Sequence, residues 1–230
     1  LGPAALADNS TLRNGATRFS GLNQNRDTNS ERTGLNDGSY TTIYDVILKA
    51  NSLINGIPEG VLSEDVAQQY RAEALTVRAY AMHYLVRVLG YEPGMSPNGF
   101  NLGIIIRTEV VSSPADVQEL PRNTVEQVYT QIKSDLNEAI SLFPGSVSNF
   151  NYMNQAFAQG ILARVLLYEG SYGEANTMAG NAIATSGLSL VSDSSSVADM
   201  FDETSVDHPE SIMTIDTNPS TEGTDGEAQN

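Results

Sequence analysis

The stretch Ala163-Arg164-Val165-Leu166-Leu167-Tyr168-Glu169-Gly170-Ser171-Tyr172-Gly173-Glu174-Ala175-Asn176-Thr177-Met178-Ala179-Gly180-Asn181-Ala182 decides the architecture. Its periodicity predicts one helix over 154–169 and another over 172–186. Gly170 and Ser171 alone separate them. So short a joint makes the two helices antiparallel neighbours, an αα-hairpin.

The small residues in this hairpin are placed more strictly than amphipathicity requires. Counted from Ala163, Leu166 follows at +3, Ala175 at +12, Ala179 at +16 and Ala182 at +19. Small side chains at the first, third and last of these positions allow two helices to cross closely. This is the pattern of a tetratricopeptide (TPR) repeat, with Tyr172 beside the turn and Gly187 where many repeats carry a proline. Residues 135–140, closed by Pro144, read as the second helix of an earlier unit. Ala139 and Ala182 lie 43 residues apart, longer than the ~34 of a standard repeat. The units are therefore TPR-like with insertions, or else an ordinary bundle with alanine at its crossings.

Three further helices are predicted upstream. The first, over 40–55, has Tyr40, Ile43, Tyr44, Ile47, Ala50, Leu53 and Ile54 on its apolar face, Ser39 as N-cap, and Gly56 with Pro58 at its end. The second, over 63–89, starts at Ser63 with Glu64 and Asp65 in its first turn and stops at Gly90. Its stripe runs Tyr70, Ala74, Val77, Ala81, Tyr84, Leu85, Val88, Leu89. Alanines on its other sides predict burial between neighbours. The third, over 124–142, opens on a Thr124–Gln127 capping box. Residues 1–38 read as a loop-rich segment, with a short helix near 3–12. Strand-like runs are predicted at 103–107, 188–190 and 211–215.

The chain has 230 residues, a formal net charge of -16 and no cysteine. Such an acidic surface repels nucleic-acid phosphates and anionic leaflets. Without cysteine there is no disulfide, thiolate nucleophile or cysteine-based zinc site. Nothing approaches the ~20 apolar residues of a membrane span. The row opens on Leu1 and closes on a polar run, and it reads as an internal piece of a longer protein, with room upstream for a signal peptide and a lipid-anchor cysteine.

Four blocks in order resemble the SusD/RagB family. Residues 40–54 are similar to its aromatic-x3-Tyr-x2-Ile-x2-Ala-Asn helix. Ala72-Glu73-Ala74 with Arg78-Ala79, continuing through Tyr84 and Leu85 to Gly90, resembles its Ala-Glu-Ala-x3-Arg-Ala helix. Pro121-Arg122-Asn123-Thr124-Val125, Val128-Tyr129, Asp135-Leu136, Ala139-Ile140 and Pro144 form the next block, and the 163–182 hairpin completes the match. The resemblance implies a mainly all-α fold, TPR-like helical repeats in a right-handed superhelical (α/α superhelix) scaffold with long irregular loops. It implies one SusD-like domain fragment over 1–230: a loop-rich segment over 1–38, the helical scaffold over 39–190, and the start of a loop-rich C-terminal part over 191–230. It further implies a cell-surface lipoprotein on the extracellular face of the outer membrane. Such a protein delivers oligosaccharides, or peptides in one branch, to a SusC-like TonB-dependent transporter. It needs no cofactor and does no chemistry on its ligand. One departure is that the family's aromatic helix often begins with tryptophan, where this chain has Tyr40, a smaller flat face. The competing expectation is a generic TPR-type adaptor for another protein, with no small ligand.

The ligand-binding residues expected are Arg26, Asp27, Arg32, Asn36, Asp37 and Tyr40. The first five bring planar hydrogen-bonding groups next to an aromatic ring, a set suited to sugar hydroxyls or peptide backbone. The same cluster also reads as an ordinary polar loop. Asn23, Asn25, Asp27 and Asn29 alternate as in a calcium loop, but Thr28 stands where an EF-hand needs glycine and Gly34 where it needs the bidentate acid. His83 reads as a packed or partly exposed helix residue and His208 as a loop residue. The acid pairs Glu203/Asp207 and Asp199/Asp202 read as solvated surface, since a glycosidase dyad needs a fixed separation across a cleft. No catalytic residue and no metal site is expected. Arg78, mid-helix, is expected to pair with Glu73 or Asp135.

Overall fold

The computed structural model describes residues 37–111, 113, 116, 118–144, 152–193, 197 and 210–214. Among them are five α-helices: α1 (Asp37–Gly56), α2 (Glu64–Leu89), α3 (Val125–Leu142), α4 (Gln155–Glu169) and α5 (Tyr172–Ser186). Each packs on its successor, and α2 touches α4 only lightly. This is the serial stacking that TPR-like units need. No described helix is long and apolar enough to cross a membrane.

The hairpin of α4 and α5 forms as its small residues require. Ala163, Ala175 and Ala182 are buried at the crossing, and Ala179 is half-buried. Gly170 closes α4 in the left-handed conformation (φ 83°), which glycine adopts at no steric cost. Ser171 N–H then donates to Leu166 O at 2.9 Å. Asn154 caps α4 by accepting from Phe157 N–H at 2.9 Å.

The Thr124–Gln127 capping box is present in both directions. Gln127 N–H donates to Thr124 Oγ1 at 3.3 Å, and Thr124 N–H donates to Gln127 Oε1 at 2.9 Å. Two otherwise orphaned donors at the start of α3 are thereby satisfied. Ser63 is the N-cap of α2, although its side chain makes no capping bond.

Several expectations need correction. The first helix begins at Asp37, so Ser39 lies within it and is not its cap. The backbone stays helical through Gly38 because one glycine near a helix end costs only about 1 kcal/mol. The buried face of α1 is Ile47, Ala50, Asn51 and Ile54, a strict i, i+3, i+4, i+7 set. Leu53 falls outside it and is exposed, as are Tyr70 and Val88 on α2. Polar groups also enter the core, since Asn51, Thr76, Arg78 and Asp135 are all buried.

No strand forms at 103–107, at 188–190 or over the described part of 211–215. A lone antiparallel bridge joins Leu102 to Thr124. The extended run from Gly103 pairs with the backbone of Asn123 (Gly103 N–H to Asn123 O at 2.7 Å, Asn123 N–H to Ile104 O at 2.9 Å) and otherwise finds its partners on side chains. Asn51 Nδ2 donates to Arg107 O at 3.1 Å and to Glu109 O at 3.2 Å. Asn55 Nδ2 donates to Thr108 O at 3.1 Å. Asn123 Oδ1 accepts from Ile106 N–H at 2.9 Å. These backbone groups are thus satisfied without a sheet.

Glycine permits the closest approach in the fold. A Cβ on Gly103 would lie 3.2–3.3 Å from Val128 Cγ2, Val125 Cα and Val86 Cγ2. One on Gly90 would lie 3.0 Å from Val86 O and 3.2 Å from Val125 Cγ2. The end of α2, the extended run and the start of α3 meet at this point.

Candidate functional site

Tyr40 stands in the first turns of α1 with its ring 38% exposed. Tyr44, one turn on, lies beneath it, with ring centroids 4.5 Å apart and planes inclined by 49°. The Tyr44 hydroxyl donates to Ile105 O at 2.8 Å and accepts from Ile105 N–H at 3.0 Å. Burial first, then the adjoining Tyr40, pushes that hydroxyl well above the ordinary tyrosine range, so it stays protonated and keeps its donor. The exposed ring is therefore mounted on a second ring fixed by two hydrogen bonds.

A cavity of about 230 Å³ opens beside Tyr40, lined also by Leu89, Gly103, Ile104, Ile105 and Arg122. Arg122 is the charged group there. Its Nε donates to Gly103 O at 2.7 Å, and its Nη2 donates to Leu89 O at 2.8 Å and Leu102 O at 3.2 Å. Leu89 ends α2, so the guanidinium also meets the negative end of that helix dipole. The guanidinium carbon sits 5.5 Å from the centre of the Phe100 ring. Phe100 in turn makes an edge contact with Tyr91 at 5.9 Å.

A larger cavity, about 400 Å³, lies between α4 and residues 210–213, with Phe157, Ile161 and Arg164 among its lining. Among the described residues no group of three or more His, Asp or Glu could hold a metal ion.

Of the six expected binding residues, Arg26, Asp27, Arg32 and Asn36 lie outside the described residues. Asp37 opens α1, three residues before Tyr40. Tyr40 is exposed and borders a cavity. The possible calcium loop at 23–29, His208 and the acids Asp199, Asp202, Glu203 and Asp207 also lie outside the described residues. Sequence reasoning assigned no binding role to Tyr44, Arg122, Phe100 or Tyr91. The four-residue spacing of Tyr40 and Tyr44 was available as a signal for the first of these. Arg122 is brought to the cavity by chain-distant contacts that leave no mark in the local sequence.

His83 is a packing residue, as expected, and its burial is nearly complete. Its ring meets Tyr129 and Tyr168 edge-on, at 5.8 and 5.3 Å. Burial above all, aided by Arg87 and Arg164, lowers its pKa to about 4, and its Nε2 has no hydrogen-bond partner.

A SusD-like family model, described as starch-binding and associating with the outer membrane, matches residues 4–167. A SusD superfamily protein from Bacteroides thetaiotaomicron is 29% identical, with a TM-score of 0.66 over 80% of this chain and 39% of its own. A structure solved with a xylogluco-oligosaccharide is 26% identical, with a TM-score of 0.62 over 79% of this chain and 35% of its own. A laminarin-binding SusD-like protein, 22% identical, shares the fold with a TM-score of 0.69 over 85% of this chain and 40% of its own. The chain thus spans well under half the length of these structures. A comparison with curated proteins returns no match.

Proposed function

The chain belongs to the SusD-like family of starch-binding proteins that associate with the outer membrane, and from that premise we propose that it binds oligosaccharides at the Tyr40 cleft without turning them over. The observation that carries the reading is the exposed Tyr40 ring, packed at a tilt against the anchored Tyr44 at the mouth of a cavity that Arg122 borders. A flat aromatic face suits the apolar face of a sugar ring, and a fixed guanidinium suits its hydroxyls. The neighbours named for laminarin and solved with a xylogluco-oligosaccharide favour a glycan over a peptide. Arg26, Asp27, Arg32, Asn36 and Asp37 belong to the same proposal as polar partners of Tyr40. The protein would work on the extracellular face of the outer membrane, held by a lipid anchor, and hand its ligand to a SusC-like TonB-dependent transporter.

The test is calorimetric titration of the full-length protein with laminari-, xylogluco- and malto-oligosaccharides. Binding to at least one series is expected, weakened about tenfold in Tyr40→Ala by loss of about 1.4 kcal/mol of stacking. Absence of binding to all three series, or full affinity in Tyr40→Ala, would overturn the reading.

A further inference from the structure

Phe157, Gly160, Ile161 and Arg164 of α4 line the cavity of about 400 Å³. They stand at i, i+3, i+4 and i+7, so a single face of the helix forms that wall. The facing wall is made by residues 210–213, and side-chain bonds hold it in place. Asn154 Nδ2, at the start of α4, donates to Ile212 O at 2.8 Å, and Glu210 Oε1 accepts from Val191 N–H at 2.7 Å. The volume falls within the range of small-molecule sites, about 300–1,000 Å³. This cavity shares no lining residue with the one beside Tyr40.

The α4 wall is apolar for most of its length. Ile161 is buried, and the half-buried Phe157 ring lies 6.4 Å from that of Tyr80 on α2. A Cβ on Gly160 would meet nothing within 4 Å, so the glycine leaves room between them. Arg164 ends the stripe, and it is exposed. Among the described residues it is the one lysine or arginine with no hydrogen bond or ion pair. Every other one donates to a carboxylate, a backbone carbonyl or a tyrosine hydroxyl. The chain has 28 acidic residues against 12 basic ones, so a cation without an acid beside it reflects placement, not supply. All five N–H donors of this guanidinium are unclaimed by the protein.

We propose that this cavity is a second binding site, separate from the Tyr40 cleft, for a small molecule with an apolar body and one carboxylate. The body lies over Gly160 against Phe157 and Ile161, and the carboxylate accepts two N–H bonds from the Arg164 fork, whose planar geometry it matches. An uncharged head group forgoes the charge-assisted part of those bonds, and a cationic one is repelled by Arg164. Glu210 in the facing wall and the net charge of -16 act against a dianion such as a phosphate monoester. This site does not depend on the oligosaccharide reading.

The experiment is calorimetric titration of the full-length protein with phenylbutyrate, phenylbutanol and phenylbutylamine, which share one body and differ in the head group. Phenylbutyrate is expected to bind about tenfold more tightly than the alcohol, and the amine most weakly. Arg164→Gln should remove that tenfold advantage and leave the alcohol as in wild type. Gly160→Leu, which fills the space over the helix, should abolish binding of phenylbutyrate, and Tyr40→Ala should leave it unchanged. Because Arg164 is exposed, Arg164→Gln keeps the fold and decides the case even where Gly160→Leu unfolds. No binding of phenylbutyrate by wild type, equal affinity for the acid and the alcohol, or full affinity for the acid in Arg164→Gln would each overturn the proposal. Loss of phenylbutyrate binding in Tyr40→Ala would overturn it too, by assigning the ligand to the Tyr40 cleft.

Discussion

Arg78 and Asp135 form a two-bonded ion pair in the core, between α2 and α3. Arg78 Nε meets Asp135 Oδ2 at 2.8 Å and Nη2 meets Oδ1 at 2.7 Å, with both side chains almost fully buried. The third arm, Nη1, donates to Asn51 Oδ1 on α1 at 2.9 Å. Since Asn51 also holds the backbone of Arg107 and Glu109, one guanidinium links three helices and, through Asn51, the extended run. Of the two partners open from sequence, Asp135 is the one used, while Glu73 accepts from Gln69.

Removing one member of that pair leaves a buried charge without its partner. Asp135→Ala is expected to destabilise the protein by about 3–5 kcal/mol. The double variant Arg78→Met/Asp135→Leu should recover a large part of the loss, because it buries no charge at all. Urea unfolding of the three proteins checks this, and equal losses in the single and double variants would contradict it.

Tyr44→Phe removes both hydrogen bonds to Ile105 and keeps the ring beneath Tyr40. A loss of about 1–3 kcal/mol is expected, since two buried backbone groups lose their partner. Hydrogen exchange should rise at the amides of 104–106 and stay unchanged in α4 and α5.

Two glycines should respond to alanine with opposite sign. Gly103→Ala drives a methyl group against Val86, Val125 and Val128, an overpacking expected to cost about 1–3 kcal/mol. Gly160, within α4, has nothing within 4 Å of its would-be Cβ. Gly160→Ala should stabilise by about 0.5–1 kcal/mol through helix propensity and unfolded-chain entropy. Thermal melts of both variants decide the pair.

His83 contributes an acid-sensitive term to stability. Its folded pKa of about 4 lies below its ordinary value of 6.5. The unfolded chain therefore takes up the proton first as pH falls, and stability drops between about pH 6.5 and pH 4. His83→Phe keeps a ring against Tyr129 and Tyr168 and removes the unpartnered nitrogen. It should match or exceed wild type at pH 7, and its stability should fall less over that interval. Urea unfolding at both pH values measures the difference.

The sequence by itself determined the helices and their order. The 3.6-residue period, the Thr124–Gln127 box and the left-handed Gly170 act within a few residues of each other, so their outcome is legible locally. The Ala163–Ala175–Ala182 spacing likewise specified a close hairpin. Tertiary structure alone decided which face of each helix is buried. Leu53 and Tyr70 looked like core and are exposed, while Asn51, outside the predicted apolar face, is buried. The buried Arg78 takes polar partners from two other helices, Asn51 and Asp135, because a buried charge is tolerated only when paired. The run at 103–107 has a strand's composition, yet its backbone bonds go to Tyr44 and Asn51 of α1 and to Asn123 rather than to a strand. Of the candidate site, Tyr40 was readable from its place in the helix motif. Arg122 was not, because it reaches the cleft through packing between segments that local periodicity does not record.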